Sequence, residues 1–171
     1  MRKQIFISLA VAVMLITLIA APAMAVEDTK TATVTVKEFI SFTVTDYGDA
    51  GINFGNLDPG TNDNAEAAQA PTTGAIKLTV GAETNANCNI QIKGSGDFSD
   101  GGTNTFALSN AKWDKDNVVT GATTMTITYA TVDTSTKGVE KNVDVWHWVS
   151  IPSGQYATTY TTTFYYQAIK Q

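Results

Sequence analysis

Two side chains of this sequence carry the chemistry of a nucleophile and a base, Cys88 and His147, and each is the only residue of its type. A thiol beside an imidazole is a common nucleophile–base pair. Cys88, however, alternates with Ile90 and Ile92, which predicts an inert packing position on the buried face of a strand. His147 has no second histidine with which to bind a metal, and we interpret it as a histidine satisfied within a strand.

Motifs of known enzymes are absent from the sequence. It contains no Gly-x-Ser-x-Gly elbow, no His-Glu-x-x-His pair and no phosphate-binding loop. We therefore expect a protein that is not an enzyme, with no catalytic residue and no bound cofactor apart from the calcium considered next.

Two acidic loops have the oxygen-rich composition of calcium sites. The first contains Asp58 and Asp63, and the second contains Asp97 and Asp100. Calcium binds carboxylate and carbonyl oxygens, which such loops supply, although neither loop matches an EF-hand. The alternative is that these four aspartates are solvated turn residues.

Two tryptophans, Trp146 and Trp148, share one face of a predicted strand whose other face carries Val145, His147 and Val149. Such a strand is apolar on both sides, whereas one side of a surface strand normally meets water. Three explanations are open: a bulge exchanges the faces, a loop of the same chain covers the tryptophans, or another molecule does. In the last case Trp146 and Trp148 form an aromatic binding face for a sugar or another surface partner.

The chain starts with an N-terminal segment that has the three parts of a secretory signal peptide. Arg2 and Lys3 precede an apolar run, Ile5–Ala21, and Ala23–Ala25 supplies small residues at the positions read by a signal peptidase. The run of about 17 residues is at the lower limit for a membrane span. We predict that residues 1–25 are removed, which makes the protein secreted, either extracellular or held at the cell surface.

The remaining chain, residues 26–171, is an acidic unit of the size of one domain. A chain of this length can bury a core without disulfides. It has nine lysines, no arginine and 16 acidic residues, for a net charge of −7. Nucleic-acid binding requires clustered cations, so it is not expected. The absence of a polybasic patch likewise indicates no membrane association after cleavage.

Composition and periodicity predict an all-β protein. Residues 26–171 contain 26 threonines, and threonine and valine favour strands. Alternation predicts seven to nine short strands and no helix. Ile76–Val80 and Asn87–Lys93 are predicted to form a hairpin. The other main predicted strands are Thr31–Asp46 with a break at Glu38 and Phe39, Ile52–Gly55, Thr124–Tyr129, Val143–Ile151 and Tyr160–Ile169. The predicted fold is a single β-sandwich with immunoglobulin-like or Greek-key, jelly-roll-like connections.

The first of these strands has a special position. Within Thr29–Glu38, Ala32, Val34 and Val36 share one face and threonines occupy the other. Two arrangements are open. The segment is either the first strand of its own domain, or residues 26–38 are donated to the sheet edge of a second subunit. Head-to-tail strand addition of this kind produces an open filament unless it closes into a ring.

Several short motifs resemble those of known secreted proteins. They are the run Ile52–Thr61, the turn Thr84–Asn87, Ile151-Pro152 and the Tyr/Thr-rich terminal stretch Tyr156–Ile169. With the preceding Thr/Val strand, these motifs are similar to small secreted archaeal β-sandwich proteins and, more loosely, to TasA-like biofilm fibre proteins and archaeal bundling pili. The resemblance implies a filament in which the N-terminal strand of each subunit, here Thr29–Glu38, completes the sandwich of its neighbour. It assigns no catalytic residue to this chain.

The function expected from the sequence is therefore structural. The protein is predicted to be a subunit of a cell-surface or extracellular filament, a homo-oligomer assembled by N-terminal strand donation. The alternative is a secreted binding module for carbohydrate or a surface partner, which uses Trp146 and Trp148. A secreted enzyme is the third class and is disfavoured by the residues present.

Overall fold

The computed structural model of the protein describes residues 29–48, 51–70 and 73–171. The chain divides into two compact units, with the boundary between Thr35 and Val36. Thr29–Thr35, the described part of the first unit, contains no strand, and all strands named below belong to the second unit. The predicted signal peptide and its cleavage site lie outside the described residues.

Antiparallel β-strands build the second unit, so the predicted all-β class is confirmed. In chain order they are β1 (Phe42–Asp46), β2 (Asn64–Ala65), β3 (Ile76–Val80), β4 (Cys88–Gly94), β5 (Phe98–Ser99), β6 (Thr105–Phe106), β7 (Ala111–Asp114), β8 (Thr123–Thr124), β9 (Ala130–Ser135), β10 (Lys141–Val149) and β11 (Phe164–Lys170). One 3₁₀ turn, Leu108–Asn110, is the only helical element among the described residues.

The largest sheet has the strand order β1-β3-β10-β7-β8, and the short strand β2 pairs with the end of β10. Val143 and Val145 of β10 lie opposite Leu78 and Ile76 of β3. Residues directly opposite one another in an antiparallel pair share a face. These four side chains are buried and form one continuous apolar surface.

The second sheet has the order β11-β4-β9, and β5 and β6 form a separate pair. In β4 the residues Cys88, Ile90 and Ile92 are buried, whereas Asn89 and Gln91 between them are partly exposed. The alternation predicted for this strand, with Cys88 on its buried face, is confirmed.

Both larger sheets contribute to one hydrophobic core. Its buried members come from β3, β4, β7, β9 and β10 and from the segments between them: Ala75, Ile76, Leu78, Val80, Ile90, Ile92, Phe98, Phe106, Leu108, Ala111, Trp113, Met125, Val132, Val143, Val145 and Val149. The ring of His147 on β10 stacks on Phe164 of β11 with 5.5 Å between centroids. The two sheets are therefore in direct side-chain contact.

The hairpin predicted for Ile76–Val80 and the following strand is wrong. β3 pairs with β1 and β10, whereas β4 pairs with β11 and β9, so the connection between them passes from one sheet to the other. The buried Thr84 in this connection accepts the N–H of Ser41, and the side-chain oxygen of Asn85 accepts the N–H of Phe39. The segment before β1 thus supplies partners that a hairpin ladder would otherwise provide.

The short strand predicted over Ile52–Gly55 is also wrong. The backbone of Asn53 bonds to residues 66 and 67 instead: its N–H donates to the carboxylate of Glu66 at 3.2 Å, and its carbonyl accepts the N–H of Ala67 at 2.9 Å. These bonds hold the segment as an irregular loop.

The strand predicted over Thr124–Tyr129 shrinks to the two residues of β8, Thr123 and Thr124. Met125 is buried as expected, but Ile127, predicted on the same face, is 66% exposed. The following strand, β9, covers Ala130–Ser135. The alternation is present in the sequence, but no neighbouring strand pairs along it.

The N-terminal part of the first predicted strand does not form. Residues 29–41 contain no strand, and the ladder with β3 begins only at Phe42. An alternating pattern shows that a segment suits a half-buried sheet surface, but a strand also requires a partner edge. In this structure the segment is therefore not the first strand of its own domain.

Candidate functional site

The tryptophans predicted to form a binding face are buried, with 7% of Trp146 and 5% of Trp148 exposed. Ala65 of β2 pairs with Trp148, and the indole Nε1 of Trp146 donates to the carbonyl of Ala70 at 3.0 Å. Of the three explanations, the structure shows cover by the same chain. The explanation in which another molecule covers an exposed aromatic face is therefore not supported, because both side chains are enclosed within the chain.

Glu66 holds the covering segment in place, and sequence reasoning missed it. Only 3% of this residue is exposed, and its carboxylate accepts the N–H groups of Asn53, Ala68 and Gln69 at 3.2, 2.8 and 3.0 Å. Three backbone donors offset the loss of water around a buried carboxylate. A glutamate in a polar, alanine-rich stretch has no local signal of burial, so only the fold identifies it.

A buried imidazole–phenol pair lies where β10 faces β11. His147 is fully buried, and its Nε2 is 3.0 Å from the hydroxyl oxygen of Tyr166. The other ring nitrogen, Nδ1, is also buried. Burial lowers the pKa of His147 to about 3 and raises the pKa of Tyr166 above its ordinary value. Both groups are therefore neutral at physiological pH, and the pair is a packed structural contact.

Cys88 is expected to resist thiol reagents while the protein is folded. Its side chain is fully buried, its Sγ donates to the carbonyl of Ala86, and burial raises its pKa. The thiolate is the reactive form, so both effects slow reaction. Ellman's reagent at pH 8 should release about one equivalent per chain only after denaturation. Rapid release from native protein would place the thiol at the surface.

In the first pair of calcium candidates, the carboxylate of one member is committed to another contact. The carboxylate of Asp63 accepts a hydrogen bond from Nζ of Lys112 at 2.8 Å. The backbone carbonyl of Asp58 accepts the hydroxyl of Thr61 at 2.7 Å, which closes the turn there. A lysine ammonium bonded to one of the two carboxylates opposes cation binding at that position.

The second pair stabilises its own loop. Asp97 accepts the N–H of Leu108 at 2.9 Å, and Asp100 accepts the N–H of Gly102 at 2.7 Å and the side-chain amide of Asn104 at 2.6 Å. The hydrogen bond from Asn104 holds the pKa of Asp100 below its ordinary value. Within the described residues no three acidic, histidine or cysteine side chains come together as metal ligands. Calcium binding therefore stays a prediction without a preformed ligand set.

The predicted assembly residues are exposed. Ala32, Val34 and Val36 all lie on a segment without strand pairing, and the valines are 85% and 77% exposed. Phe39, three residues before the first ladder residue Phe42, is 54% exposed. Exposed valines on a segment that alternates with threonine are available to a partner.

An open groove of about 990 Å³ borders the hydrophobic core, and we call it the edge groove. Its two walls are residues 51–59 and 155–163, neither of which contains a named strand. Core side chains from both sheets form its floor: Ile76, Phe98, Phe106, Val149, Phe164 and Tyr166. The groove was not predicted, because its walls are separated by about a hundred residues in the sequence.

Comparison with known proteins returns no match, either among protein-family models or among curated proteins. In the part of the chain that the structure describes, no helix is both long and apolar enough to cross a membrane.

Proposed function

We propose that this protein is a secreted structural protein, a subunit of a cell-surface or extracellular filament in which residues 29–38 of each subunit are donated to a neighbour. The observation that carries the proposal is the exposure of Val34 and Val36 to solvent. They belong to an alternating segment that suits a sheet, yet they are exposed and the segment pairs with no strand of the described residues. Adding such a segment to another subunit would remove both valines from water.

The proposal treats the fold as a β-sandwich that is incomplete at one edge. Two antiparallel sheets contribute to one core and touch through His147 and Phe164, which supports that description. Export after cleavage at Ala25 would bring the segment close to a free N-terminus. The proposed function requires no catalytic residue and no cofactor.

A pair of substitutions on each face of the segment tests the proposal. Val34→Asp with Val36→Asp places two charges on the apolar face, whereas Thr33→Asp with Thr35→Asp places the same charges on the opposite face. The valines are exposed in the single chain, so the melting temperature of the monomer should change little in either variant. Burying a carboxylate in a neighbour, by contrast, is strongly unfavourable.

We expect the secreted wild-type protein and the threonine-face variant to form filaments in negative-stain electron microscopy. The valine-face variant should sediment as a monomer at the same concentration. A wild-type protein that stays monomeric at high concentration, with no filament visible, would overturn the proposed function.

A further inference from the structure

The hydrophobic core is closed on one side and open on the other. On the side of β7 and β9, Trp113, Met125 and Val132 are at most 6% exposed. Nearly all of the core-packing residues that remain partly exposed belong to β1, β11 or the lining of the edge groove: Phe42, Ile52, Phe54, Leu57, Ile151, Tyr160, Phe164, Tyr166 and Ala168. Even Val44, whose partner Leu78 is fully buried, is 42% exposed.

The sheets also have unpaired strand edges on this open side. β1 pairs only with β3 and β11 only with β4 among the described residues, so both strands terminate their sheets. An outer edge of this kind presents N–H and C=O groups to an added strand. Apolar side chains directed at the core and an open backbone edge are the two features that strand addition uses.

We infer that the edge groove is the acceptor site for Ala32, Val34 and Val36 of a second copy of this chain, an inference that rests on the proposed function. These three side chains alternate along about 13 Å of extended strand and would face the apolar floor of the groove. The threonines between them would face outwards, beside the threonine-rich wall of residues 158–163. Thr–Thr neighbours stabilise adjacent strands through their hydroxyl groups.

The position of Val36 indicates why the occupant is a second copy. Val36 lies beside Asn85, Asn87 and Lys170, where β11 ends. The groove reaches Tyr166 of β11, four residues and about 13 Å away. Val36 of the same chain therefore lies beyond the end of the groove, beside the last residues of β11. Donor and acceptor are then different surfaces of the chain, so their contact is heterologous and propagates as a filament unless it closes into a ring.

A mixing experiment tests the acceptor site separately from polymerisation. The variant with Val34→Asp and Val36→Asp retains the groove but cannot donate its N-terminal segment. The Leu57→Asp variant has a charge on the groove wall but an intact donor segment. Neither variant should polymerise alone. Mixed in equal amounts, they should form a discrete 1:1 dimer in sedimentation velocity. A Leu57→Asp protein that is folded by circular dichroism and still forms filaments would overturn the inference while leaving strand donation in place.

A second measurement needs no change in the groove. A synthetic peptide of residues 29–38 is titrated into the ¹⁵N-labelled Val34→Asp, Val36→Asp monomer, with a peptide carrying the same two aspartates as the control. Amide shifts should concentrate in residues 51–59, 155–163 and β11, and the control peptide should cause none. Shifts confined to β8 or β9 would refute the groove as the acceptor. Absence of binding, together with a wild-type protein that forms no filament, would refute the proposed function as well.

Discussion

Acidification from pH 8 to pH 5 should lower the free energy of unfolding by about 2 kcal/mol through His147 alone. Burial lowers the pKa of this histidine from 6.5 to about 3 in the folded protein. Between these two values the unfolded chain binds one proton more than the folded chain. Stability therefore decreases as the pH falls through this window, and it is fully present only above the unfolded pKa.

The chain is well suited to this measurement because His147 is its only histidine. Most carboxylates titrate below pH 5, so the interval from pH 8 to pH 5 isolates the imidazole. Urea unfolding at several pH values gives the slope. Proton NMR of the folded protein should also show a histidine ring whose shifts stay constant over this interval.

Two variants provide the controls. His147→Phe combined with Tyr166→Phe removes both partners of the 3.0 Å contact and should abolish the slope. Tyr166→Phe alone leaves the imidazole buried and should retain the slope of stability against pH. An equal slope in the wild-type protein and the double variant would show that His147 is not the group responsible.

Replacing Gly74 by alanine is expected to destabilise the fold by about 3 kcal/mol. A Cβ at this position would lie 2.5 Å from the carbonyl oxygen of Val145 and 2.7 Å from its nitrogen. Both atoms belong to the backbone of β10, which pairs with β2, β3 and β7 and cannot move without disturbing them. The glycine is required here by the close approach of two backbones.

Gly96→Ala is the matched control. A Cβ at Gly96 meets nothing within 4 Å, so its stability should change by no more than about 0.5 kcal/mol. Urea unfolding of the three proteins at pH 7 measures the difference. Equal midpoints for Gly74→Ala and the wild-type protein would mean that β10 and the segment before β3 separate easily.

Both predictions, for His147 and for Gly74, concern contacts made by β10, and the proposed acceptor site depends on such contacts. Tyr166 contacts His147 and also lines the edge groove. The groove floor is therefore held by the contact between β10 and β11. A variant that loosens this contact should weaken peptide binding in the groove as well as stability.

The positions and the inward-facing residues of the long strands could be predicted from the sequence. Alternation is a property of neighbouring residues, because successive side chains of a strand point to opposite faces. It correctly placed Ile76–Val80, Cys88–Ile92 and Val143–Val149, with Cys88 facing inwards. The predicted export signal is equally local, but it lies outside the described residues.

Strand pairing and the cover of each face depend on the tertiary structure and could not be predicted from the sequence. The turn residues between β3 and β4 suit a hairpin, but each strand has its partners in a different sheet. The doubly apolar strand with Trp146 and Trp148 was recognised, but its cover comes from a segment about 80 residues earlier. Burial of Glu66, the contact of His147 with Tyr166 and the edge groove likewise join distant residues. Such contacts leave no periodic trace in the sequence, because they depend on how the sheets pack and not on the order of neighbouring residues.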